Sequence, residues 1–238
     1  MQTDHSINVT CMTGVAANAT ILENIELPED KFEINCFQWV IPSRKDNLKI
    51  YCTRISQKIE HEMPVIIGVS FGGVIVQEIA KLIEVRRVII ISSVKSEKEL
   101  PRRMRFARYT KAFKVLPTSL VGRIDFFERL VMGDFAKKRF ELYKKYLSVT
   151  DIRYLDWALE KMICWEQPEP IPGVVHIHGD KDIIFPYKYI DGSITVPGGT
   201  HIMNSKSFRL FNEYREQIIL TGKPQMQKEE QKITKNEI

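Results

Sequence analysis

The pentapeptide Gly68-Val69-Ser70-Phe71-Gly72 closes the apolar run 64–69 and opens the amphipathic stretch 71–84. A nucleophilic serine needs this setting. A sharp turn from strand into helix strains the serine backbone and lifts its hydroxyl clear of the sheet. Small residues two before and two after leave room for that turn. The helix N-terminus behind the serine favours negative charge developing in front of it.

A second constellation is His176-Ile-His178-Gly-Asp180-Lys-Asp182-Ile-Ile-Phe-Pro186. It falls at the C-terminal end of an expected strand, where reacting groups gather in open α/β sheets. One carboxylate there can orient a histidine. Asp182 is the better candidate, because Asp180 sits in the tight Gly179-Asp180 turn and is expected to shape it. The same run reads alternatively as a metal-ligand set of His176, His178 and Asp180. His5, His61 and His201 supply no second cluster. No metal or other cofactor is therefore expected, and His176 reads as a core histidine.

The third segment is Pro197-Gly-Gly-Thr-His201, between the last short strand and the last helix. Ser70, Asp182 and His201 follow one another in the chain order Ser…Asp…His. In that scheme the histidine takes the serine proton as general base, and the carboxylate fixes the histidine tautomer. Met12-Thr13-Gly14-Val15-Ala16, after the first strand, either offers a backbone N–H to an oxyanion or is a plain strand–loop–helix turn.

A sheet must hold these groups. Strands are expected at 7–12, 33–40, 65–69, 88–92, 174–178 and 194–196. Several are apolar on consecutive positions, as in parallel strands buried on both faces. Helical stretches lie at 19–26, 47–60, 71–84 and 204–220. The alternation predicts an α/β fold. It stops after Ser93. From 97 to 165 no strand is expected, and Pro101, Pro117 and Gly133 separate three or four helical stretches. The sheet pattern resumes beyond Pro168-Glu-Pro-Ile-Pro172. The expected organisation is a core of 1–96 and 169–222, a helical cap of 97–168, and a polar tail of 223–238.

Composition agrees with one such domain: 238 residues, 44% hydrophobic and 27% charged. The net charge of +5 is concentrated in 101–165, which holds 15 Lys/Arg against 7 Asp/Glu, and 12 of the 23 aromatics. No apolar run approaches the ~18 residues of a membrane span. The start MQTDHSINVT has no secretory pattern. Cys11, Cys36, Cys52 and Cys164 form no CxxC pair and read as reduced thiols of a cytoplasmic protein. No nucleic-acid motif accompanies the basic segment.

On the Ser70 elbow, the HGDKD loop with Asp182 and the GGTH loop with His201, residues 7–220 resemble the α/β-hydrolase superfamily. They resemble in particular its small members with a helical cap inserted after the strand that follows the elbow helix. The resemblance implies a short, mostly parallel sheet of about six strands flanked by helices. It implies an oxyanion hole of the Phe71 and Val15 backbone N–H groups. It also implies a cofactor-free serine hydrolase that cleaves a carboxylic ester or thioester of a small to medium acyl group through an acyl-enzyme. Two features depart from the family: Thr13-Gly14 stands where members often have His-Gly, and the usual leading β-hairpin is missing. The alternatives are a C–C bond hydrolase or lyase of the same fold, a poorly catalytic ligand-binding protein, and the metal-dependent hydrolase above. The expected partner is a small-molecule acyl substrate, neutral or anionic. Phe106, Tyr109, Phe113, Phe126, Phe127 and Phe135 are candidate pocket-liners. Arg102, Arg103, Arg105 and Arg108 either attract an anion or form a solvated helix face.

Overall fold

A computed structural model describes residues 6–15, 17, 25–37, 39–43, 45–114, 151–203 and 205–224. The strands are β1 (Ile7–Met12), β2 (Phe32–Phe37), β3 (Val65–Val69), β4 (Arg87–Ile91), β5 (Val175–Gly179) and β6 (Ile194–Val196). They form one sheet in the order β2-β1-β3-β4-β5-β6, and every neighbouring pair is parallel. Five of the strands lie within a residue of the sequence expectation. The exception, β2, stops at Phe37, three residues short, because Trp39 and Val40 leave the sheet and pack into the core beside it.

Side chains alternate across a strand, so a sheet buried on both faces needs two apolar layers. Val9, Val65, Ile67, Ile89, Ile91 and Ile177 face one layer. It is closed by Phe208, Phe211, Ile218 and Ile219 of the helix Ser205–Thr221. Met12, Ile66, Val88 and Ile90 face the other. There they meet α1 (Leu48–Ser56), α2 (Phe71–Ile79) and the helix Ile152–Ile163. With α3 (Arg102–Thr110) between them in the chain, the last two helices are α4 (Ile152–Ile163) and α5 (Ser205–Thr221). Each fully buried Ile or Val contributes roughly 1.5–3 kcal/mol, so β3 and β4, with four such side chains each, are firmly anchored.

Helix starts follow local chemistry. Asn47 accepts the Ile50 N–H at 2.8 Å to cap α1. Asp151 accepts the Arg153 and Tyr154 N–H groups at 2.9 and 3.1 Å to cap α4. The inner face of α4 joins the α1–α2 layer: Trp157 packs on Tyr51 at 4.6 Å and donates its indole N–H to the Asp46 carbonyl at 2.8 Å. The helix expected at 19–26 falls largely outside the described residues. So do Phe126, Phe127 and Phe135, and the tail from residue 225. Among the described residues no helix is long and apolar enough to cross a membrane.

Strand β1 lies between β2 and β3, so the direction of strand succession reverses there. At such a switch point the connections diverge and leave a crevice at the carboxyl ends of the strands. The segments entering that crevice are the loop after β1, with Gly14 and Val15, and the turn after β3, with Ser70.

Candidate active site

Ser70 occupies the one position between β3 and α2, with φ 54° and ψ −120°. Only sparsely populated backbone space offers such a pair to a residue with a Cβ. Its surroundings hold it there. The Ser70 N–H donates to the Ile91 carbonyl at 2.9 Å, and the Ser93 hydroxyl donates to the Ser70 carbonyl at 2.7 Å. The two flanking glycines are steric necessities. A Cβ on Gly68 would lie 2.3 Å from the Gly72 carbonyl oxygen, and one on Gly72 would lie 2.4 Å from the Met12 and Thr13 carbonyl oxygens. Ser93 carried no signal in the sequence; only the contact of β3 with β4 makes it part of the elbow.

A serine preceding a helix ordinarily turns its hydroxyl back to cap the first turn. Ser70 makes no such bond. Its Oγ lies instead 3.0 Å from His201 Nε2. His201 Nδ1 lies 2.9 Å from Asp182 Oδ2. A carboxylate only accepts, so Nδ1 carries the proton and Nε2 is free to accept the Ser70 O–H. The three side chains, spread over 131 residues of chain, thus form one hydrogen-bonded row. Phe185 meets the His201 ring edge-on at 5.4 Å and limits its rotation.

Asp182 is buried, and burial alone would raise its carboxyl pKa. The hydrogen bond and charge of His201, with the Phe185 N–H, outweigh that and hold it below the ordinary carboxylate range. Its Oδ1 accepts the Ile184 and Phe185 N–H groups at 2.7 and 2.9 Å. Asp180 plays a different part. Its Oδ1 accepts the Gly198 N–H at 2.7 Å and ties the two loops together. The tie suits Gly179 and Gly199, which approach so closely that a Cβ on Gly179 would lie 2.3 Å from the Gly199 carbonyl oxygen.

His176 and His178 are both buried and bonded to each other, Nε2 to Nδ1, at 3.1 Å. The second nitrogen of His178 lies 2.8 Å from the Phe185 carbonyl, which can only accept. The proton pattern follows: His178 carries its hydrogen on Nε2, and His176 donates from Nε2. Both ring nitrogens of His178 are therefore committed, and Asp180 is committed to Gly198. The ligand-like spacing in the sequence thus belongs to structural hydrogen bonds. Among the described residues no group of three or more His, Cys, Asp or Glu side chains is gathered to hold a metal ion.

Desolvation holds both rings below the ordinary histidine range, His176 well below it. The unfolded chain, with histidine pKa about 6.5, binds protons that the folded chain refuses. Stability is therefore full above pH ~6.5 and falls as pH drops below it. Each histidine contributes about 1.4 kcal/mol per pH unit until its folded pKa is reached. His176→Gln retains an N–H donor toward His178 but does not titrate. Urea denaturation at pH 7, 6 and 5 should show a shallower acid loss for this variant, by about 1.4 kcal/mol per unit. Equal slopes would contradict the assignment.

The loop after β1 lies against the elbow, and a Cβ on Gly14 would lie 3.2 Å from Ser70 Cβ. The Gly14 carbonyl accepts the Trp39 indole N–H at 2.8 Å and the Ala17 N–H at 3.1 Å. In a trans peptide the following N–H points the opposite way, so this double anchor sets the direction of the Val15 N–H. Trp39 also stacks on the Phe71 ring, with centroids 5.7 Å apart and planes 12° apart. Phe71 is the first residue of α2, so its N–H has no intrahelical acceptor. Trp39 thus touches both segments singled out for oxyanion binding. No sequence pattern announces this, because the indole comes from the turn after β2.

The basic run on α3 lies on an exposed helix, and two of its arginines have specific partners. Arg103 donates to the Ile183 and Ile184 carbonyls at 2.7 and 2.8 Å. It therefore clamps the loop that carries Asp182. Arg108 pairs with Glu97 at 3.0 Å and Glu166 at 2.8 Å. Two of the four arginines are thus spent on the protein itself, and Arg102 and Arg105 are exposed. Of the candidate pocket-liners, Phe106 and Tyr109 are 67% and 87% exposed, whereas Phe113 is buried.

The parallel sheet, its strand order, the elbow after β3 and the late acid and histidine loops define a class: the chain has the α/β-hydrolase fold. Among solved structures it is similar to BpoC of Mycobacterium tuberculosis H37Rv, a candidate non-heme bromoperoxidase. That match has a TM-score of 0.63 and 13% identity, covering 92% of this chain and 94% of the other. A thermophilic esterase from Thermogutta terrifontis matches with TM-score 0.62 and 14% identity over 91% of each chain. An epoxide hydrolase from metagenomes of hot environments matches with TM-score 0.62 and 13% identity over 92% of each chain. No protein-family model and no curated protein sequence matches the chain.

Proposed function

We propose that the protein is a serine hydrolase that cleaves a carboxylic ester or thioester through an acyl-enzyme. The observation that carries this reading is the row Ser70 Oγ–His201 Nε2–Asp182 Oδ2, at 3.0 and 2.9 Å, on a strained elbow. Ser70 attacks the acyl carbon while His201 takes the hydroxyl proton. Asp182 stabilises the resulting imidazolium. The carbonyl oxygen becomes negative and is met by the Phe71 and Val15 N–H groups. His201 returns the proton to the departing alcohol or thiol, then activates a water that releases the acid. α3 serves as part of a cap over the crevice, and Arg103 couples it to the acid loop. The described cysteines are all free, which suits the reducing cytoplasm.

A fluorophosphonate probe and a p-nitrophenyl ester series test the reading. Rapid labelling confined to Ser70, with stoichiometric acid release from the esters, is expected. Slow labelling without turnover would point to the poorly catalytic binding protein instead.

The double role of Trp39 gives a more specific expectation. Trp39→Phe keeps the stack on Phe71 but removes the shorter of the two bonds to the Gly14 carbonyl, so the Val15 N–H is held less firmly in direction. Deleting an oxyanion donor outright costs about 10²–10³ in rate, so misdirecting one should lower kcat by roughly ten- to a hundredfold. KM should stay within about twofold, because the bond to the oxyanion is made only in the transition state. A change confined to KM would remove Val15 from the oxyanion hole.

A further inference from the structure

Cys11 on β1 and Cys36 on β2 are register partners in the parallel pair. Their side chains therefore stand side by side on one face of the sheet, with backbones about 4.7–4.9 Å apart. That lies within the ~4.4–6.8 Å Cα separation a disulfide accepts. Strand β2 is the edge of the sheet, and on it Cys36 is exposed, whereas Cys11 is buried. Interaction between the two thiols holds Cys36 below the ordinary thiol range and, with burial, holds Cys11 well above it. The other two cysteines lack such a neighbour in register. Cys52 is buried in the opposite layer with its S–H toward the Ile75 carbonyl, and Cys164 ends α4.

We propose that Cys11 and Cys36 form a redox-active dithiol, which a peroxide closes reversibly into a disulfide between β1 and the edge strand β2. Reactivity divides the roles. An accessible sulfur with thiolate character attacks first, so Cys36 is the attacking residue and Cys11 the resolving one. Cys36 sulfur attacks one oxygen of hydrogen peroxide, the O–O bond breaks, and the departing hydroxide takes a proton to become water. Cys36 is left as a sulfenic acid. Cys11 sulfur then attacks the Cys36 sulfur, the S–O bond breaks, and the second hydroxide leaves as water with the Cys11 proton. Two thiols have lost two electrons, and one peroxide has become two waters. A dithiol reductant reverses the closure by exchange. Cys11 directly precedes Met12, whose carbonyl oxygen is among the atoms packed closest on Gly72 of the elbow. The bond therefore forms at the root of the loop that enters the crevice. The dithiol depends on the sheet register and not on the proposed hydrolysis.

The test uses the full chain, reduced, desalted and treated with stoichiometric hydrogen peroxide, then digested without reductant for mass spectrometry. A peptide linked through Cys11 and Cys36, lighter by two hydrogens and released by dithiothreitol, is expected. Cys52 and Cys164 should remain alkylatable after denaturation. In Cys11→Ser the reaction should stop at a dimedone-trapped sulfenic acid on Cys36. In Cys36→Ser, Cys11 should stay unoxidised. A dimedone adduct on Cys36 in the parent protein with Cys11 still free would overturn the proposal. So would oxidation at Cys164 while both strand cysteines stay reduced. The parent digest decides the matter even where a variant fails to fold.

Discussion

Ser70→Ala is expected to abolish the acyl-enzyme route and lower kcat for a p-nitrophenyl ester by about 10⁴–10⁶. The size follows from the way the row works. In the proposed mechanism His201 and Asp182 move one proton from one oxygen, and without that oxygen their placement accelerates nothing. The residual rate would come from the backbone donors and from holding the ester near water. Folding should survive. Ser70 holds φ 54°, and its hydroxyl makes no bond to its own helix. Alanine does not relax that backbone, but it removes a polar group held half-buried beside His201. Melting temperature should therefore stay equal or rise, the usual exchange of activity for stability at a strained site. Fluorophosphonate labelling should vanish with the activity. Esterase turnover within tenfold of the parent would show that some other residue attacks.

Asp182→Asn is expected to cost about 10⁴ in kcat. The amide is nearly the same shape, so the loss is a matter of tautomer. An Asn nitrogen facing His201 Nδ1 would donate, Nδ1 would have to accept, and the imidazole proton would move to Nε2, where it blocks the Ser70 O–H. Oδ1 of the native carboxylate also accepts two N–H groups, from Ile184 and Phe185. An amide oxygen turned toward them preserves those bonds and forces the wrong group onto the histidine. The negative charge proposed to hold the imidazolium in the transition state is lost as well. Asp180→Asn provides the contrast. Asp180 accepts from the Gly198 N–H, which an amide oxygen can still do, and its other oxygen lies 3.9 Å from the exposed Lys181 ammonium. Activity should fall less than tenfold, and unfolding free energy should drop by less than about 1 kcal/mol, because the bond survives and loses only its charge assistance. Circular dichroism and denaturant curves on both variants separate the effects. Equal activity losses at 180 and 182 would mean that loop stability, rather than proton placement, governs turnover.

The strands were legible because burial on both faces writes itself as consecutive apolar residues, as in Val65–Val69 and residues 88–91. The elbow was legible because a backbone pinched between Gly68 and Gly72 excludes larger residues at both positions, so the constraint is local in the chain. Choosing Asp182 over Asp180 rested on a turn two residues long, again a local matter. Other features depend on what lies across space. Whether His176 and His178 gather an ion or bond to each other is decided by the Phe185 carbonyl, which lies seven residues beyond His178. Whether the arginines of α3 present a charged field depends on carbonyls at Ile183 and Ile184 and on Glu166. The anchor on the Gly14 carbonyl comes from Trp39, and the pairing of Cys11 with Cys36 comes from the register of β1 against β2. Local sterics and burial period are properties of neighbouring residues, so they are written in the chain itself. Hydrogen-bond partners and neighbours across strands come into being when the layers close on one another, and no stretch of sequence contains them.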